Sequence, residues 1–79
     1  MNPYTVLLLR PDYIADEFGK DTYLAHVVAS HPEAAIVDAQ FEAVLADDRS
    51  NDPGDDNWVD HTDYHVLFVC RGHQEDLKP

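Results

Sequence analysis

The chain alternates between apolar clusters and polar stretches, and the spacing inside each cluster names its element. Residues 4–10 (Tyr-Thr-Val-Leu-Leu-Leu-Arg) put Tyr4, Val6 and Leu8 on one side of an extended chain and Thr5, Leu7 and Leu9 on the other. A strand that is apolar on both sides belongs in the middle of a sheet. Pro11 ends it. Residues 11–21 mix turn formers with Tyr13, Ile14 and Phe18, which predicts a loop held down by apolar anchors. Residues 22–29 return to strand composition, with Thr22, Leu24, His26 and Val28 on one side and Tyr23, Ala25, Val27 and Ala29 on the other.

Ser30-His31-Pro32-Glu33 carries the spacing of a capping box, with Pro32 in the first turn, where its missing N–H costs nothing. A start one residue later, with His31 as the cap, also fits, because the residue before a proline avoids helical angles. From there to about Asp47, Ala34, Val37, Phe41, Val44 and Leu45 recur at helical spacing and predict the sheet-facing stripe. Ala35, Ala39, Ala43 and Ala46, with Ile36 beside them, then point outward. On that side alanine serves either as a good helix former in solvent or as a seat for a second helix. Residues 47–57 form a polar loop, residues 62–71 a third strand stopped by Gly72, and residues 73–79 a short tail. There is no internal repeat.

The order β-β-α-β predicts an α+β fold in one domain spanning residues 1–79. The second strand, helix and third strand make a right-handed crossover. The simplest sheet is three-stranded and mainly antiparallel, in the order 2-1-3, with one helix packed on one face. One helix covers one face only, yet both faces of this sheet are apolar. Either the 11–21 loop folds over the second face or a partner does.

Composition narrows the partners. Sixteen Asp and Glu stand against five Lys and Arg in 79 residues, a formal net charge of -11. No cation lies between Lys20 and Arg49 or between Arg49 and Arg71, while eleven acids do. Such a field repels polyanions and anionic membranes and attracts basic surfaces, so direct nucleic-acid binding is disfavoured. The longest apolar runs, 6–9 and 66–70, fall far short of the ~20 residues of a membrane span. Met1-Asn2-Pro3-Tyr4 lacks the basic start of a secretory signal, and the single cysteine, Cys70, permits neither an intrachain disulfide nor a cysteine zinc site. A reducing cytoplasm is the expected compartment.

Four groups of residues, and a few single side chains, invite a chemical reading. His61, Asp63 and His65 would share one side of a strand, and imidazole-carboxylate-imidazole is a ligand set for zinc or iron. Same-side neighbours on a strand lie ~7 Å apart, however, so a common ion would require a bulge. The Asp-rich loop 47–56 departs from the calcium-loop template, since Arg49 stands where an Asp is required before Gly54. Tyr13, Phe18, Tyr23, Trp58 and Tyr64 would wall a shallow pocket if the 11–21 segment crossed the sheet. Glu33, Asp38, Glu42 and Asp47 would line the outer helix face and suit a basic partner. Cys70 follows four apolar residues and reads as a small buried hydrophobe. Ser30 and Ser50, in a helix cap and a polar loop, give no serine nucleophile its setting, and the isolated glycines make no phosphate cradle. No catalytic group and no cofactor is expected.

The stretch Tyr4 to Val28 (Tyr-Thr-Val-Leu-Leu-Leu-Arg-Pro-Asp-Tyr-Ile-Ala-Asp-Glu-Phe-Gly-Lys-Asp-Thr-Tyr-Leu-Ala-His-Val-Val) and the closing Gly72-His73-Gln74-Glu75-Asp76-Leu77 resemble those of a family of small acidic bacterial proteins, some carried on mobile DNA. The resemblance implies a compact bacterial domain and carries no catalytic motif. The functional expectation is a non-enzymatic interaction module that self-associates, as a homodimer, through a sheet or helix surface. The alternatives are an acidic inhibitor or mimic that occupies the basic surface of a nucleic-acid-binding protein or toxin, and a small ligand- or metal-binding protein.

Overall fold

A computed structural model describes residues 1–72, without the side chains of Glu17 and Phe18; the predicted tail 73–79 lies outside the described residues. The elements are β1 (Asn2–Leu9), α1 (Asp12–Phe18), β2 (Thr22–Ala29), α2 (Pro32–Ala46), a 3-10 turn (His61–Asp63) and β3 (His65–Arg71). The sheet has the order β2-β1-β3, with β1 antiparallel to both neighbours. This is the α+β arrangement that the apolar pattern predicts, with the doubly apolar strand in the centre.

Two stretches depart from the expected outline. Residues 12–18 are a short helix rather than a loop, entered from extended Pro11 and closed by Gly19 at φ 69°, whose N–H donates to the Ala15 carbonyl at 2.8 Å. Glycine suits that left-handed turn because it has no Cβ to clash. This helix buries Ala15, places Ile14 in the main core and leaves Tyr13 54% exposed. The third strand begins at His65 instead of residue 62, because Asp60 Oδ1 accepts the Thr62 N–H at 2.9 Å and winds residues 61–63 into the turn.

α2 starts at the later of the two possible caps. His31 is the N-cap, and its Nδ1 accepts the Ala34 N–H at 3.2 Å. The helix ends in a Schellman arrangement: Arg49 N–H donates to the Val44 carbonyl at 2.9 Å and Asp48 N–H to Leu45 at 3.2 Å, with Asp48 at φ 57°.

The face of α2 that meets the sheet is rotated from the expected one, keeping Val44 and Ala34 of the predicted stripe at the core and turning Val37 and Leu45 out of it. Ala35, Ala39, Ala43 and Val44 are fully buried, whereas Val37 and Leu45 are 41% and 61% exposed. α2 packs chiefly on β2, whose inward residues include Ala25 and Ala29, both buried. Small side chains on both surfaces let helix and sheet approach closely. Volume comes instead from the large inward residues of the rest of the molecule, Tyr4, Val6, Leu8, Ile14 and Tyr64, all buried in the same core. Ala46, at the end of the strip, is exposed.

Candidate functional site

The inward face of the sheet carries Tyr4, Val6 and Leu8 from β1, Ala25, Val27 and Ala29 from β2, and Val66 and Val69 from β3. The opposite face is set by the same registers. β1 places Thr5, Leu7 and Leu9 there; their partners are His26, Leu24 and Thr22 on β2, and Cys70, Phe68 and His65 on β3. Val28 extends the row beside Pro3. A register shift between Leu7 and Leu8 sets Leu67 off the ladder, and Leu67 is 49% exposed. Neither helix is seen on this face: Ile14 of α1 and Ala35, Ala39, Ala43 and Val44 of α2 belong to the core on the inward side. Leu7, Leu24 and Phe68 are half-buried, while Leu9 and Val28 remain 37% and 51% exposed.

None of the positions named on this face is acidic, in a chain with sixteen Asp and Glu. The charge of the described residues therefore lies on the edges, the loops and the helical layer. Thr5 is fully buried, and its hydroxyl donates to the Gly72 carbonyl at 2.7 Å, which ties the start of the sheet to the end of β3.

At the other end of β1, Leu9, Arg10, Pro11, Asp12, Tyr13, Asp63 and His65 line an open depression of about 500 Å³. Tyr13 donates its hydroxyl to Asp63 Oδ2 at 3.1 Å. Burial first, then this bond to the Asp63 carboxylate, raise the Tyr13 phenol above its ordinary value.

Behind the depression lies a buried polar junction that has no counterpart in the sequence motifs. Arg10 holds Asp47 in a fork, Nε to Oδ2 at 3.0 Å and Nη2 to Oδ1 at 3.1 Å, with side chains only 9% and 2% exposed. Arg10 Nη1 also donates to the Thr22 carbonyl at 2.7 Å, and the guanidinium lies over the Tyr23 ring, 5.5 Å from its centroid. Tyr64 donates its hydroxyl to Asp47 Oδ2 at 2.8 Å, and Gln40 Nε2 donates to the Tyr64 carbonyl at 2.8 Å. Desolvation, then the Asp47 carboxylate, raise the Tyr64 phenol strongly. The junction joins the end of β1, the start of β2, the C-terminus of α2 and the entry to β3. Its groups satisfy one another, so it is structural chemistry.

The expected site residues disperse. Of the five aromatics, Tyr13 lines the depression and Tyr64 is fully buried in the junction. Tyr23 leans on Arg10 and donates to Glu42 Oε2 at 3.3 Å; burial, then Glu42, push its phenol up to about 12. Trp58 is 42% exposed on the polar loop, and the Phe18 side chain lies outside the described residues. The described members do not wall a common pocket across the sheet, because α1 turns Ile14 into the core instead of laying Tyr13 over the second face.

The members of the expected metal trio take separate local positions. His61 stacks on Phe41, with ring centroids 4.3 Å apart, Asp63 is taken by Tyr13, and His65 begins β3. The 3-10 turn removes the period of two that would have aligned them. Among the described residues, no group of three His, Cys, Asp or Glu side chains is placed to hold an ion. The Asp-rich loop uses its carboxylates locally: Asp52 Oδ1 accepts from Gly54 N–H at 3.0 Å and Asp55 Oδ1 from Asn57 N–H at 2.8 Å.

Of the expected acidic face, Glu33, Asp38 and Glu42 are exposed along α2, but Asp47 is 3% exposed and committed to Arg10 and Tyr64. Asp47 is therefore no part of a partner surface. Glu33 sits below the ordinary carboxylate range because its own backbone amide, and then His31, hydrogen-bond it.

The fold and these surfaces define a two-layer α+β arrangement in which, among the described residues, neither helix lies on the outer face of the sheet. Compared with known proteins, the chain matches no family model, no curated sequence and no solved structure. No helix among the described residues is long and apolar enough to cross a membrane.

Proposed function

We propose that the protein is an interaction module that self-associates as a homodimer through the open face of its sheet. The observation that carries this reading is the face itself, apolar and without an acid at any named position in a chain of net charge -11. Two like-charged copies repel wherever their acids meet, so an uncharged face is where they approach at least cost. Size supports it. Three strands of about eight residues give a plan area of roughly 26 by 14 Å, or about 500 Å² of accessible surface once side-chain relief is included. A symmetric pair then buries about 1,000 Å², at the threshold for a specific interface, with sheets stacked at about 10 Å.

Light scattering behind a sizing column tests the reading. At moderate salt and high micromolar concentration the expected mass is twice 9.0 kDa. Val28→Glu, which alters a side chain outside the core, is expected to give monomer, and Leu45→Glu on the helix is expected to stay dimeric. A monodisperse monomer of the unaltered chain overturns the proposal.

One observation favours a second reading. Glu33, Asp38 and Glu42 are exposed on a helix that contains no Lys or Arg, which suits an acidic inhibitor or mimic that occupies a basic protein surface. In a low-salt pull-down, retention of a basic protein that is lost when these three acids are neutralised supports it; retention unchanged by neutralisation counts against it.

A further inference from the structure

The rotation of α2 leaves a row of large side chains outside the core. Val37, Phe41 and Leu45 follow one another at intervals of four, which sets them in line on one side of the helix. Val37 and Leu45 are 41% and 61% exposed, and Phe41 is half-buried between them. Phe41 stacks on His61, so the 3-10 turn walls the row on one flank, and Asp63 is exposed on that turn. Asp38 and Glu42, also four apart and both exposed, run along the other flank. Two bonds fix these flanks on opposite sides of the helix: Gln40 donates to the Tyr64 carbonyl just past the turn, and Glu42 accepts the Tyr23 hydroxyl of β2. Glu33 stands in the first turn. Single apolar residues on a surface are ordinary, but three in one row with acids on both flanks make a patterned surface.

Resting on the reading of the α2 acids as a surface for a basic partner, we propose that this row is the seat of a basic amphipathic helix presented by another protein. Such a helix lays its apolar stripe on Val37, Phe41 and Leu45 and sets Lys or Arg against Asp38, Glu42 and Asp63 at the rim. The row spans roughly 12 Å along the helix axis, a contact for two to three turns of the partner. Apolar contact supplies the attraction, and the rim acids select the sign of the partner's charge. Charge also decides against the other occupants. A second copy seated here brings its own Glu33, Asp38 and Glu42 against the same acids, in chains of net charge -11 each. α1 carries Asp12, Asp16 and Glu17 and no Lys or Arg, so among the described residues no basic helix exists to fill the seat. Nucleic acids and anionic membranes meet the same repulsion as a second copy.

The probe is a fluorescein-labelled synthetic helix of about 15 residues of Leu and Lys, with the leucines on one face, set against a scrambled peptide of the same composition. Binding to the full chain is read by anisotropy, and its place by backbone amide NMR. The ordered peptide is expected to bind at about 10 μM, roughly tenfold tighter than the scramble, with shifts centred on residues 34–46 and 61–63. The pair Val37→Gln and Leu45→Gln alters exposed positions only and is expected to weaken the ordered peptide about tenfold. The pair Asp38→Asn and Glu42→Gln, which leaves Tyr23 an acceptor, is expected to weaken both peptides. Equal binding of the two peptides, lost on neutralising the acids but unchanged by the Gln pair at 37 and 45, overturns the helix seat and leaves the acidic surface standing. Binding of neither peptide overturns both. Shifts centred on the outer sheet face, or on α2 when the chain alone is concentrated, overturn the seat in favour of another site or of a second copy.

Discussion

A single carboxylate, Asp47, is the most deeply buried acid among the described residues. It accepts two bonds from Arg10 and one from Tyr64 while almost wholly removed from water. Removing one partner of such a pair leaves the other charge buried and uncompensated. Asp47→Ala is therefore expected to lower stability by about 3–5 kcal/mol in urea unfolding, and adding Arg10→Met to recover part of that loss. A cost below about 1 kcal/mol for Asp47→Ala would remove the junction from its structural role. The phenols beside it predict an alkaline limb. Tyr64 and Tyr23 are held protonated in the folded chain by burial and by neighbouring carboxylates, Tyr23 to about pH 12. An unfolded phenol ionises near pH ~10, so the unfolded chain sheds protons first and stability falls as pH rises above that value. The slope reaches up to about 1.4 kcal/mol per pH unit for each tyrosine. Unfolding measured between pH 9 and about pH 11.5 is expected to show that fall, and Tyr64→Phe to make it shallower.

At the scale of elements, most of the fold was legible and the face of one helix was not. The strands announced themselves through Tyr4/Val6/Leu8 and Thr5/Leu7/Leu9, which together placed β1 in the centre. α2 announced its start through Pro32. Its orientation was misread because Val37, Phe41 and Leu45 are larger and more apolar than Ala35, Ala39 and Ala43. A helix over alanine-rich β2, however, gains more from close approach than from bulk. Ala39→Leu is expected to overpack this seam and cost about 1–3 kcal/mol, while Val37→Ala, on the exposed side, is expected to cost well under 1 kcal/mol. Equal costs in thermal or chemical unfolding would contradict the rotated packing. The local capping at Asp60 had a similar effect on β3. Asp60 bonds both the Thr62 amide and its hydroxyl, at 2.9 and 2.7 Å. That turn shortened the strand and dissolved the alignment of His61, Asp63 and His65. The junction of Arg10 with Asp47 left no trace in the sequence, because its members are 37 residues apart and neither belongs to a motif.

At the scale of the whole molecule, the outer sheet face carries no acid at its paired positions, while Glu33, Asp38 and Glu42 are exposed along α2. One layer of sheet and one of helix give a body 34 × 26 × 15 Å, thin enough that a single helix encloses the core on one side only. The surplus of apolar faces over covering elements was readable from the order β-β-α-β, and the structure places that surplus on Leu7, Leu9, Leu24, Val28 and Phe68. That no acid occupies the paired positions of this face required the register of the three strands and was not visible in the composition. The most direct test is a dilution series of backbone amide NMR spectra at pH 7.5, which reads association residue by residue. Concentration-dependent shifts confined to the strand positions around Leu7, Leu24, His26, Val28 and Phe68 are the predicted result. Shifts centred on Val37 and Leu45 of α2, or none at all up to millimolar concentration, would contradict it.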